Sequence, residues 1–485
     1  MNLAPQLKEI SPITLVAQVA RENGLPCYVV GGFVRDLLLQ RTSQDIDFVC
    51  VGSGIELAEA VGRRLSVSPV VYKNFGTSHI PFEGYQLEFV GARRESYRSD
   101  SRKPVVEDGT LEDDQLRRDF TINALAVSLN EVDYGKLIDP FGGVDHLAKK
   151  MLVTPRAPAE TFSDDPLRMM RACRFASQLN FDIDGDAFEA IRQMAGRLAI
   201  ISAERITDEL NKIVSSPVPS YGFKLLFHSG LLKQFFPELV ALQGVEYVDN
   251  TAHKHNFYHT LQVLDNVAQV SDDLWLRWAA ILHDIAKPVT KRFDPKAGWT
   301  FHGHEERGAR MVPGLFRRMK LPMNEKMEFV RKLVRLHLRP IALVKEEVTD
   351  SAIRRLLFEA GADADALMTL CRADITSKNA DKVKRYLRNF ERVAEKMVAV
   401  EEKDQIRNFQ PPVTGDEIIR YFQLTPGKII GELKEEIKEA ILEGIIPNER
   451  SAAWEFLLAA AARRNLTIPE PAPPVSPSHQ NHPQL

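Results

Sequence analysis

Residues 27–49 read CYVVGGFVRDLLLQRTSQDIDFV, and this stretch decides the fold of the N-terminal part of the chain. An apolar β-rich run is followed by Gly31 and Gly32, then by a helical pattern, then by a second β-rich run. Two glycines let backbone amides approach a phosphate closely, and a helix N-terminus adds a favourable partial charge. A plain tight turn explains the same two glycines. The pattern predicts strand, turn, helix and strand.

The second β-rich run carries Asp45 and Asp47. Residues two apart on a strand project from one face, so both carboxylates point the same way. Carboxylates are hard oxygen ligands that suit Mg²⁺, and Mg²⁺ can bridge a triphosphate and neutralise developing charge. A solvated strand face is the alternative, but the position thirteen residues after Gly32, in a strand-turn-helix-strand frame, favours a metal site. Glu88, in a later β-rich run, is either a third carboxylate or a structural residue.

Two further stretches carry candidate nucleotide contacts. Arg117 and Arg118 precede Asp119, a candidate N-cap, so they either clamp phosphate oxygens or are solvated. Asp165 and Arg168 are three apart in a predicted helix and therefore share a face.

A carboxylate that accepts from an exocyclic amine, beside a guanidinium that donates to the ring nitrogen, matches cytosine and adenine. Uracil and guanine present the reverse polarity and would leave buried groups unpaired. Asp165 and Arg168 therefore predict selection of C and A, with a plain salt bridge as the alternative. Arg171 and Arg174, further along the same helix, either hold phosphate or are solvated.

Composition limits the possible classes of protein. A chain of 485 residues predicts two to four domains, and 44% hydrophobic with 27% charged residues is ordinary for a soluble globular protein. With a net charge of −3, any nucleic-acid surface must be a local basic patch. The four scattered cysteines predict reduced thiols in a cytoplasmic protein, and the sequence shows neither a signal peptide nor a membrane-spanning run.

The pattern along the chain predicts five segments. We expect an α/β head over 1–150, a helical neck over 151–245, a histidine-rich helical domain over 246–405 and a C-terminal helical region over 406–466. Residues 467–485 are rich in proline and polar residues and predict a disordered tail.

The third segment holds seven of the twelve histidines. His283 and Asp284 close an apolar run, and adjacent helical residues can both reach a metal between their directions. Together with other histidine and aspartate side chains of this segment, they form a mixed set of nitrogen and oxygen ligands that suits Mn²⁺, Ni²⁺, Fe²⁺ or Zn²⁺. The further candidate ligands are His259 and Asp374, with His304 and His337 for a second metal. Histidines that only cap or pack are the alternative, and His253 and His255 are expected at the surface.

Six motifs now occur in order: GGFVRD at 31–36, DID at 45–47, RRDFTINAL at 117–125, DPFGGVDHL at 139–147, DDPLRMMRACRF at 164–175 and SAERI at 202–206. Together they resemble the motif series of class II CCA-adding tRNA nucleotidyltransferases, of the tRNA nucleotidyltransferase/poly(A) polymerase family. The resemblance covers about residues 20–215. It implies a multidomain α+β chain with a DNA polymerase β-like nucleotidyltransferase head, followed by all-α spacer, HD and C-terminal helical domains.

The resemblance also implies roles for individual residues. Asp45 and Asp47 would carry the catalytic Mg²⁺, and Asp165 and Arg168 would template the incoming base. Asp164 departs from the family, which usually has glutamate there, and its shorter side chain puts its supporting role in doubt. The residues at the triphosphate would be Gly31, Gly32 and Arg35. Further contacts with the nucleotide would come from Arg118, Asp119 and Asn123.

Residues 250–380 resemble the HD phosphohydrolase superfamily, which activates water against phosphate esters. The segment 92–114, mixed in charge, predicts a mobile loop. The resemblance implies a role for this loop in switching from C to A addition, with an ordinary surface loop as the alternative. The whole resemblance implies template-independent addition of C, C and A to tRNA from CTP and ATP. The alternatives are a poly(A) polymerase or A-adding enzyme, and an HD phosphohydrolase with an RNA-binding head. A basic run at 382–392 either follows an RNA backbone or is a solvated helix face, and the oligomeric state stays open.

Overall fold

The computed structural model describes residues 1–466 except 74–75, 99–100, 245–246, 249–250, 253–255, 297, 344–348, 377–378, 405, 408 and 410–411. The predictions for His253, His255 and the tail at 467–485 therefore lie outside the described residues. The chain divides into two compact units. The first comprises Met1–Ile281, Lys291–Thr300 and Pro313–Met323; the second comprises Leu282–Thr290, Phe301–Val312 and the chain from Asn324 onward.

A seven-stranded sheet organises the start of the first unit. Its strands are β1 (Cys27–Val30), β2 (Asp45–Cys50), β3 (Val70–Tyr72), β4 (Thr77–Phe82), β5 (Tyr85–Gly91), β8 (Ala126–Ser128) and β9 (Leu137–Ile138), beside a separate hairpin of β6 (Arg93–Arg98) and β7 (Ser101–Asp108). The order is β3-β4-β5-β2-β1-β8-β9, with β2 and β5 parallel and the other neighbours antiparallel.

Alternation along β2 explains how the sheet separates core from site. Ile46 and Phe48 are buried, and the Phe48 ring stacks on Phe89 of β5 with ring centroids 5.2 Å apart. Because successive side chains on a strand point to opposite faces, Asp45 and Asp47 project away from this core. The predicted strand, turn, helix and strand are confirmed, whereas β3, β4 and β8 were not predicted.

Helices make up most of the rest of the first unit. They are α1 (Ala4–Lys8), α2 (Ser11–Glu22), α3 (Gly32–Leu38), α4 (Gly54–Leu65), α5 (Leu111–Leu116), α6 (Gly143–Ala148), α7 (Pro158–Asp164), α8 (Leu167–Leu179), α9 (Gly185–Met194), α10 (Ala203–Val214), α11 (Pro219–His228), α12 (Leu231–Phe235), α13 (Pro237–Val240), α14 (Asn256–Ala268) and the part of α15 (Leu274–Leu282) up to Ile281. Short strands also occur at Met151–Leu152, Asp182–Ile183, Tyr247–Val248, Thr251–Ala252, Arg292–Asp294 and Gly298–Thr300.

The second unit is helical throughout its described elements. These are α16 (Lys287–Thr290), the part of α17 (His304–Arg318) up to Val312, α18 (Glu325–Leu336), α19 (Leu338–Leu343), α20 (Asp350–Ala360), α21 (Ala364–Asp374), α22 (Ala380–Asp404), α23 (Gly415–Phe422), α24 (Lys428–Glu443) and α25 (Arg450–Arg463). The α/β head followed by helical regions confirms the predicted fold class. Among the described helices, none is both long and apolar enough to cross a membrane.

The segment 92–114, predicted as a mobile loop, contains the strands β6 and β7 and the helix α5, and its mobility stays a prediction. β6 and β7 pair in register from Arg93 opposite Asp108, and α5 follows behind a capping box at Thr110 and Asp113. Strand pairing satisfies the backbone of this polar segment, and Arg94 lies 3.3 Å from Glu107 as an opposite-charge cross-strand pair.

Candidate active site

Three carboxylates share one face of the sheet in the first unit. Asp47 lies opposite Glu88 across the parallel pair β2 and β5, and Asp45 lies opposite Gln86 in the same register. Residues paired across neighbouring strands project from the same face, so Glu88 joins the two aspartates. The sequence alone left the role of Glu88 undecided between a third carboxylate of the site and a structural residue. Local patterns do not show that β2 pairs with β5 in parallel, and this pairing places Glu88 beside the aspartates.

The crowding of negative charge favours a bound cation here. Burial is the main cause that raises the pKa of Asp47 to about 6; the negative charges of Glu88 and Asp45 act in the same direction, and Arg118 acts against them. A divalent cation relieves this repulsion and favours the ionised carboxylates. Asp45 and Asp47, with Glu88 beside them, therefore fit a divalent metal.

Gly31 is required at the turn that precedes α3. Its backbone has φ of 76° and ψ of −136°, which L side chains rarely adopt. A Cβ added there would lie 2.8 Å from Nη1 of Arg118 and 3.2 Å from Oδ2 of Asp47. The glycine thus allows a guanidinium and a carboxylate to approach the turn, and no Cβ contact closer than 3.6 Å arises at Gly32.

A chain of hydrogen bonds runs from α3 to α8. Arg35 donates from Nη1 to Oδ1 of Asn123 at 2.7 Å, and Asn123 donates to Oδ1 of Asp119 at 3.0 Å. Nε of Arg171 lies 2.7 Å from Oδ2 of Asp119. Burial alone would raise the pKa of Asp119, but Arg171 and Asn123 outweigh it and lower the pKa to about 2. Asp119 is thus a charged buried centre.

Asp119 is not a helix N-cap, so that prediction is wrong. The following element is a single 3-10 turn at Thr121–Asn123, and Phe120 occupies its N-cap position. Asp119 instead accepts from the backbone N–H of Phe120 at 2.9 Å as well as from Asn123. Phe120 is completely buried, so the chain runs through the interior at the position where the sequence predicted the start of a helix.

Asp114 is a buried carboxylate beside the candidate site that the sequence analysis did not single out. Its buried carboxylate accepts from Arg117 and from Arg118, with Nη2 of Arg118 at 3.0 Å. Burial raises the pKa of Asp114, yet the two guanidinium groups outweigh burial and hold it below its ordinary value. The arginines are therefore fixed and not solvated. The spacing of Asp114 to Arg118, four apart, was the available signal.

Asp165 and Arg168 do not lie on one helix, which corrects the predicted arrangement. α7 ends at Asp164 and α8 begins at Leu167, and Asp165 has an extended backbone because a residue before proline, here Pro166, is disfavoured in the helical region. Nη1 and Nη2 of Arg168 donate to carbonyl oxygens of Thr161 and Arg117, at 3.3 and 2.6 Å.

The acidic side chains next to α8 find other partners. Oδ2 of Asp165 lies 3.2 Å from Nη2 of Arg205, and Asp164 pairs with Arg156. Asp164, the departure from the family pattern, is therefore an ion-pair partner at the junction of α7 and α8.

Phe175 organises the arginines of α8 and was also missed. The guanidinium carbons of Arg35, Arg171 and Arg174 lie 5.1, 5.2 and 4.1 Å from its ring centroid. Nε of Arg174 lies 3.1 Å from Glu209, so the solvated alternative for Arg174 is wrong. Cation–π contacts of this kind hold positive charge at a wall without neutralising it.

One cavity of about 890 Å³ collects these groups. All predicted nucleotide-site residues of the first unit except Gly31 line it: Gly32, Arg35, Asp45, Asp47, Arg118, Asp119, Asn123, Asp165, Arg168, Arg171 and Arg174. Glu88, Phe175, Arg205 and Lys212 line it as well. An acidic wall and many guanidinium groups in one cavity suit a metal-bound polyphosphate.

A second cluster of candidate ligands lies in the second unit. Nε2 of His283 lies 3.2 Å from Asp284 and 3.6 Å from Asp374, which ends α21. Oδ1 of Asp284 lies 3.3 Å from Nε2 of His304 and 3.9 Å from Nε2 of His337. The structure therefore brings these five predicted ligands together within this unit. His259 lies on α14 in the first unit, and its ligand role stays a prediction.

The tautomers of two of these histidines suit a metal. Nδ1 of His304 lies 2.8 Å from the carbonyl oxygen of Phe301, and Nδ1 of His337 lies 2.7 Å from that of Val334. A proton on Nδ1 leaves Nε2 as a lone pair, the arrangement in which histidine binds metals. Both Nε2 atoms are buried and lie 3.3 and 3.9 Å from Oδ1 of Asp284. Together with Asp284 they offer three ligand atoms within 4.8 Å of one another, which fits a divalent metal.

Comparisons with known families and proteins agree with this geometry. Residues 27–153 match the family described as Poly A polymerase head domain, 180–242 match Probable RNA and SrmB- binding site of polymerase A, and 256–379 match HD domain. The solved structure of the Thermotoga maritima CCA-adding enzyme in complex with tRNA shares the fold, with a TM-score of 0.60, 23% identity and coverage of 95% of this chain and 99% of that one.

Two curated relatives are similar over much of the chain. The multifunctional CCA protein of Ectopseudomonas mendocina is 35% identical over 309 residues, 61% of this chain and 70% of that protein. The A-adding tRNA nucleotidyltransferase of Deinococcus radiodurans is 32% identical over 355 residues, 70% of this chain and 78% of that protein. The chain therefore belongs to the tRNA nucleotidyltransferase/poly(A) polymerase family and carries an HD domain.

Proposed function

We propose that this chain adds C, C and A to the 3′ end of tRNA, using CTP and ATP and releasing pyrophosphate. One observation carries the proposal: the acidic face of Asp45 and Asp47 and the base-selecting residues Asp165 and Arg168 line the same cavity. A nucleotide bound there can meet a metal at its phosphates and a hydrogen-bonding wall at its base. No nucleic-acid template is then needed to choose the nucleotide.

The residues divide the work of nucleotidyl transfer. Asp45 and Asp47 would hold Mg²⁺, which would supply neutralisation of the charge on the triphosphate. The tRNA 3′ hydroxyl attacks the α-phosphorus, and pyrophosphate leaves. Arg35 and Arg118, fixed by Asn123 and Asp114, present guanidinium groups to phosphate oxygens without first having to be ordered. Glu88 serves as the third carboxylate of this face.

Base choice follows from hydrogen-bond polarity. The Asp165 carboxylate accepts from the exocyclic amine of cytosine or adenine, and Arg168 donates to the adjacent ring nitrogen. Arg168 uses two of its five N–H groups on the carbonyls of Thr161 and Arg117, so it is positioned and retains donors for a base. A uracil or guanine would place a carbonyl against the carboxylate and lose about tenfold to a hundredfold in kcat/KM.

An enzyme that adds only A is the second candidate, because the Deinococcus radiodurans relative carries that name. The Asp165 and Arg168 polarity accepts C as well as A, which favours full CCA addition. The test supplies tRNA lacking CCA and tRNA ending in CC with each nucleotide alone. Extension of the first with CTP supports the proposal; extension of only the second, with ATP, supports the A-adding candidate.

We further propose that the HD domain binds a transition metal through His259, His283, Asp284 and Asp374, with Mn²⁺, Ni²⁺, Fe²⁺ or Zn²⁺ as candidates. His304 and His337 extend the set toward a second ion. Hydrolysis of a phosphate ester is the activity that such a centre supports. A 2′,3′-cyclic nucleotide with Ni²⁺ or Mn²⁺ tests it, and no hydrolysis under any of the four metals argues for a structural or RNA-docking unit.

We also propose domain boundaries after residues 150, 245 and 405. We propose a cytoplasmic location as well, which is consistent with the four buried free thiols. On α22, the exposed side chains of Lys384, Arg385 and Arg388 offer a surface for the RNA backbone.

A further inference from the structure

We propose that Arg205 is a specificity-determining positioning residue that orients the Asp165 carboxylate toward the incoming base. This inference rests on the proposed function and adds to it a residue outside the nucleotide contacts assigned above. Arg205 lies in the SAERI run at 202–206, and its side chain lines the same cavity as Asp165 and Arg168.

Two donors from different elements hold the carboxylate. Oδ1 of Asp165 accepts from the backbone N–H of Leu167 at 3.1 Å, at the start of α8. Oδ2 lies 3.2 Å from Nη2 of Arg205, which belongs to α10. A carboxylate oxygen has two lone pairs, so each oxygen keeps one for a further donor such as an exocyclic amine. Arg205 therefore fixes the carboxylate plane and still leaves it open to a base.

The local backbone explains why Asp165 needs this second donor. Asp165 stands between α7 and α8 with an extended backbone, so neither helix holds its side chain against a neighbouring turn. The terminal torsion of aspartate is broad, and a single donor at Oδ1 leaves the plane free to turn. Within the described residues the salt bridge to Asp165 comes from Arg205, whereas Arg168 donates to carbonyls of Thr161 and Arg117.

Fixing the carboxylate sharpens selection between bases. With Arg205 in place, an acceptor oxygen meets the amine of cytosine or adenine, and the carbonyl of uracil or guanine meets the same oxygen unfavourably. Without Arg205, the Asp165 carboxylate turns away from the base part of the time. This weakens its hydrogen bond with the amine of cytosine or adenine and reduces its repulsion of the carbonyl of uracil or guanine. Efficiency with CTP and ATP falls more than efficiency with UTP and GTP.

The experiment measures kcat/KM for all four nucleotides with the full-length chain and tRNA. For Arg205→Gln we expect kcat/KM for CTP and ATP to fall roughly tenfold to a hundredfold, with changes under about threefold for UTP and GTP. Arg205→Lys, which keeps the charge, restores part of the loss. Arg192→Gln is the matched control, because Arg192 makes an exposed ion pair with Glu189 at 3.2 Å in the same unit.

Equal loss for all four nucleotides in Arg205→Gln overturns the proposal, since it shows that Arg205 binds the shared triphosphate. Unchanged discrimination overturns it too. If Arg205→Gln unfolds at a lower temperature, the variants Asp165→Asn and Asp165→Asn/Arg205→Gln are compared instead. A further change in kcat/KM of less than about twofold supports the coupling of Arg205 to Asp165, whereas full additivity of the two substitutions contradicts it. A wild-type chain that uses neither CTP nor ATP removes the proposed function itself, which separates the two failures.

Discussion

Asp47 and Glu88 face each other across the parallel strands β2 and β5, and they make this edge of the cavity acidic. The pairing brings together residues that are far apart in the sequence, and only the sheet topology relates them. Burial and the neighbouring carboxylates raise the pKa of Asp47 to about 6. A divalent cation at this face would favour the ionised form of Asp47.

Removing one of these carboxylates should abolish nucleotide addition and spare RNA binding. We expect Asp47→Ala to lower kcat by about a thousandfold or more, because the metal stabilises transition-state charge by several kcal/mol. Filter binding of tRNA should stay within about threefold of wild type, since the arginines remain. Glu59→Gln, an exposed substitution on α4, is the control. Near-normal turnover in Asp47→Ala would remove the assignment.

The glycine turn gives a second, stereochemical prediction. Gly31→Ala combines a disfavoured backbone with a Cβ 2.8 Å from Arg118, so it should cost about 2–3 kcal/mol of stability and most of the activity. Gly24→Ala is the comparison, because Gly24 also has positive φ but meets no atom within 4 Å. It should cost about 1 kcal/mol and leave activity intact. Urea unfolding and single-nucleotide incorporation measure both; equal behaviour of the two variants would contradict the close approach.

Asp119 predicts a specific loss of stability in acid. Its pKa in the folded chain is about 2, below the ordinary value of about 3.9, so its contribution is complete above pH 4 and is lost as pH falls toward 2. The difference corresponds to about 2–3 kcal/mol. Urea unfolding across this range should show a steeper loss for wild type than for Asp119→Asn. Parallel pH profiles would show that Asp119 is not held ionised by Arg171.

The histidine cluster predicts metal content that depends on particular side chains. We expect His337→Gln to reduce bound transition metal at least tenfold, because it removes a buried Nε2 that faces Asp284. His302→Gln, at an exposed histidine two residues before His304, should bind metal like wild type. Elemental analysis after dialysis against Mn²⁺, Ni²⁺ or Zn²⁺ gives the readout. Equal metal content in both variants would reject His337 as a ligand.

Local patterns predicted much of the site, and long-range pairing explains most of what they missed. The Asp45 and Asp47 strand follows from two-residue alternation, which is readable in a short window. Glu88 needed the knowledge that β2 and β5 are parallel neighbours, and Asp114 was hidden in a segment whose charges suggested a loop.

The junction between α7 and α8 shows a different limit. Helical spacing placed Asp165 and Arg168 on one helix, but Pro166 was a visible signal that Asp165 must leave the helical region. The contact between the Asp165 carboxylate and Arg205 depends on the packing of α10 against α8, which the spacing of residues in the sequence does not show. The structure places Asp165 and Arg168 at one cavity, and their role in base selection stays a prediction.

A crystal structure of the full chain with tRNA, CTP and Mg²⁺ tests the central claim most directly. We predict an ion bound by Asp45 and Asp47 at the triphosphate, with the amine of cytosine at Asp165 and its ring nitrogen at Arg168. A triphosphate bound outside this cavity, with the two aspartates facing solvent and no ion between them, would contradict it.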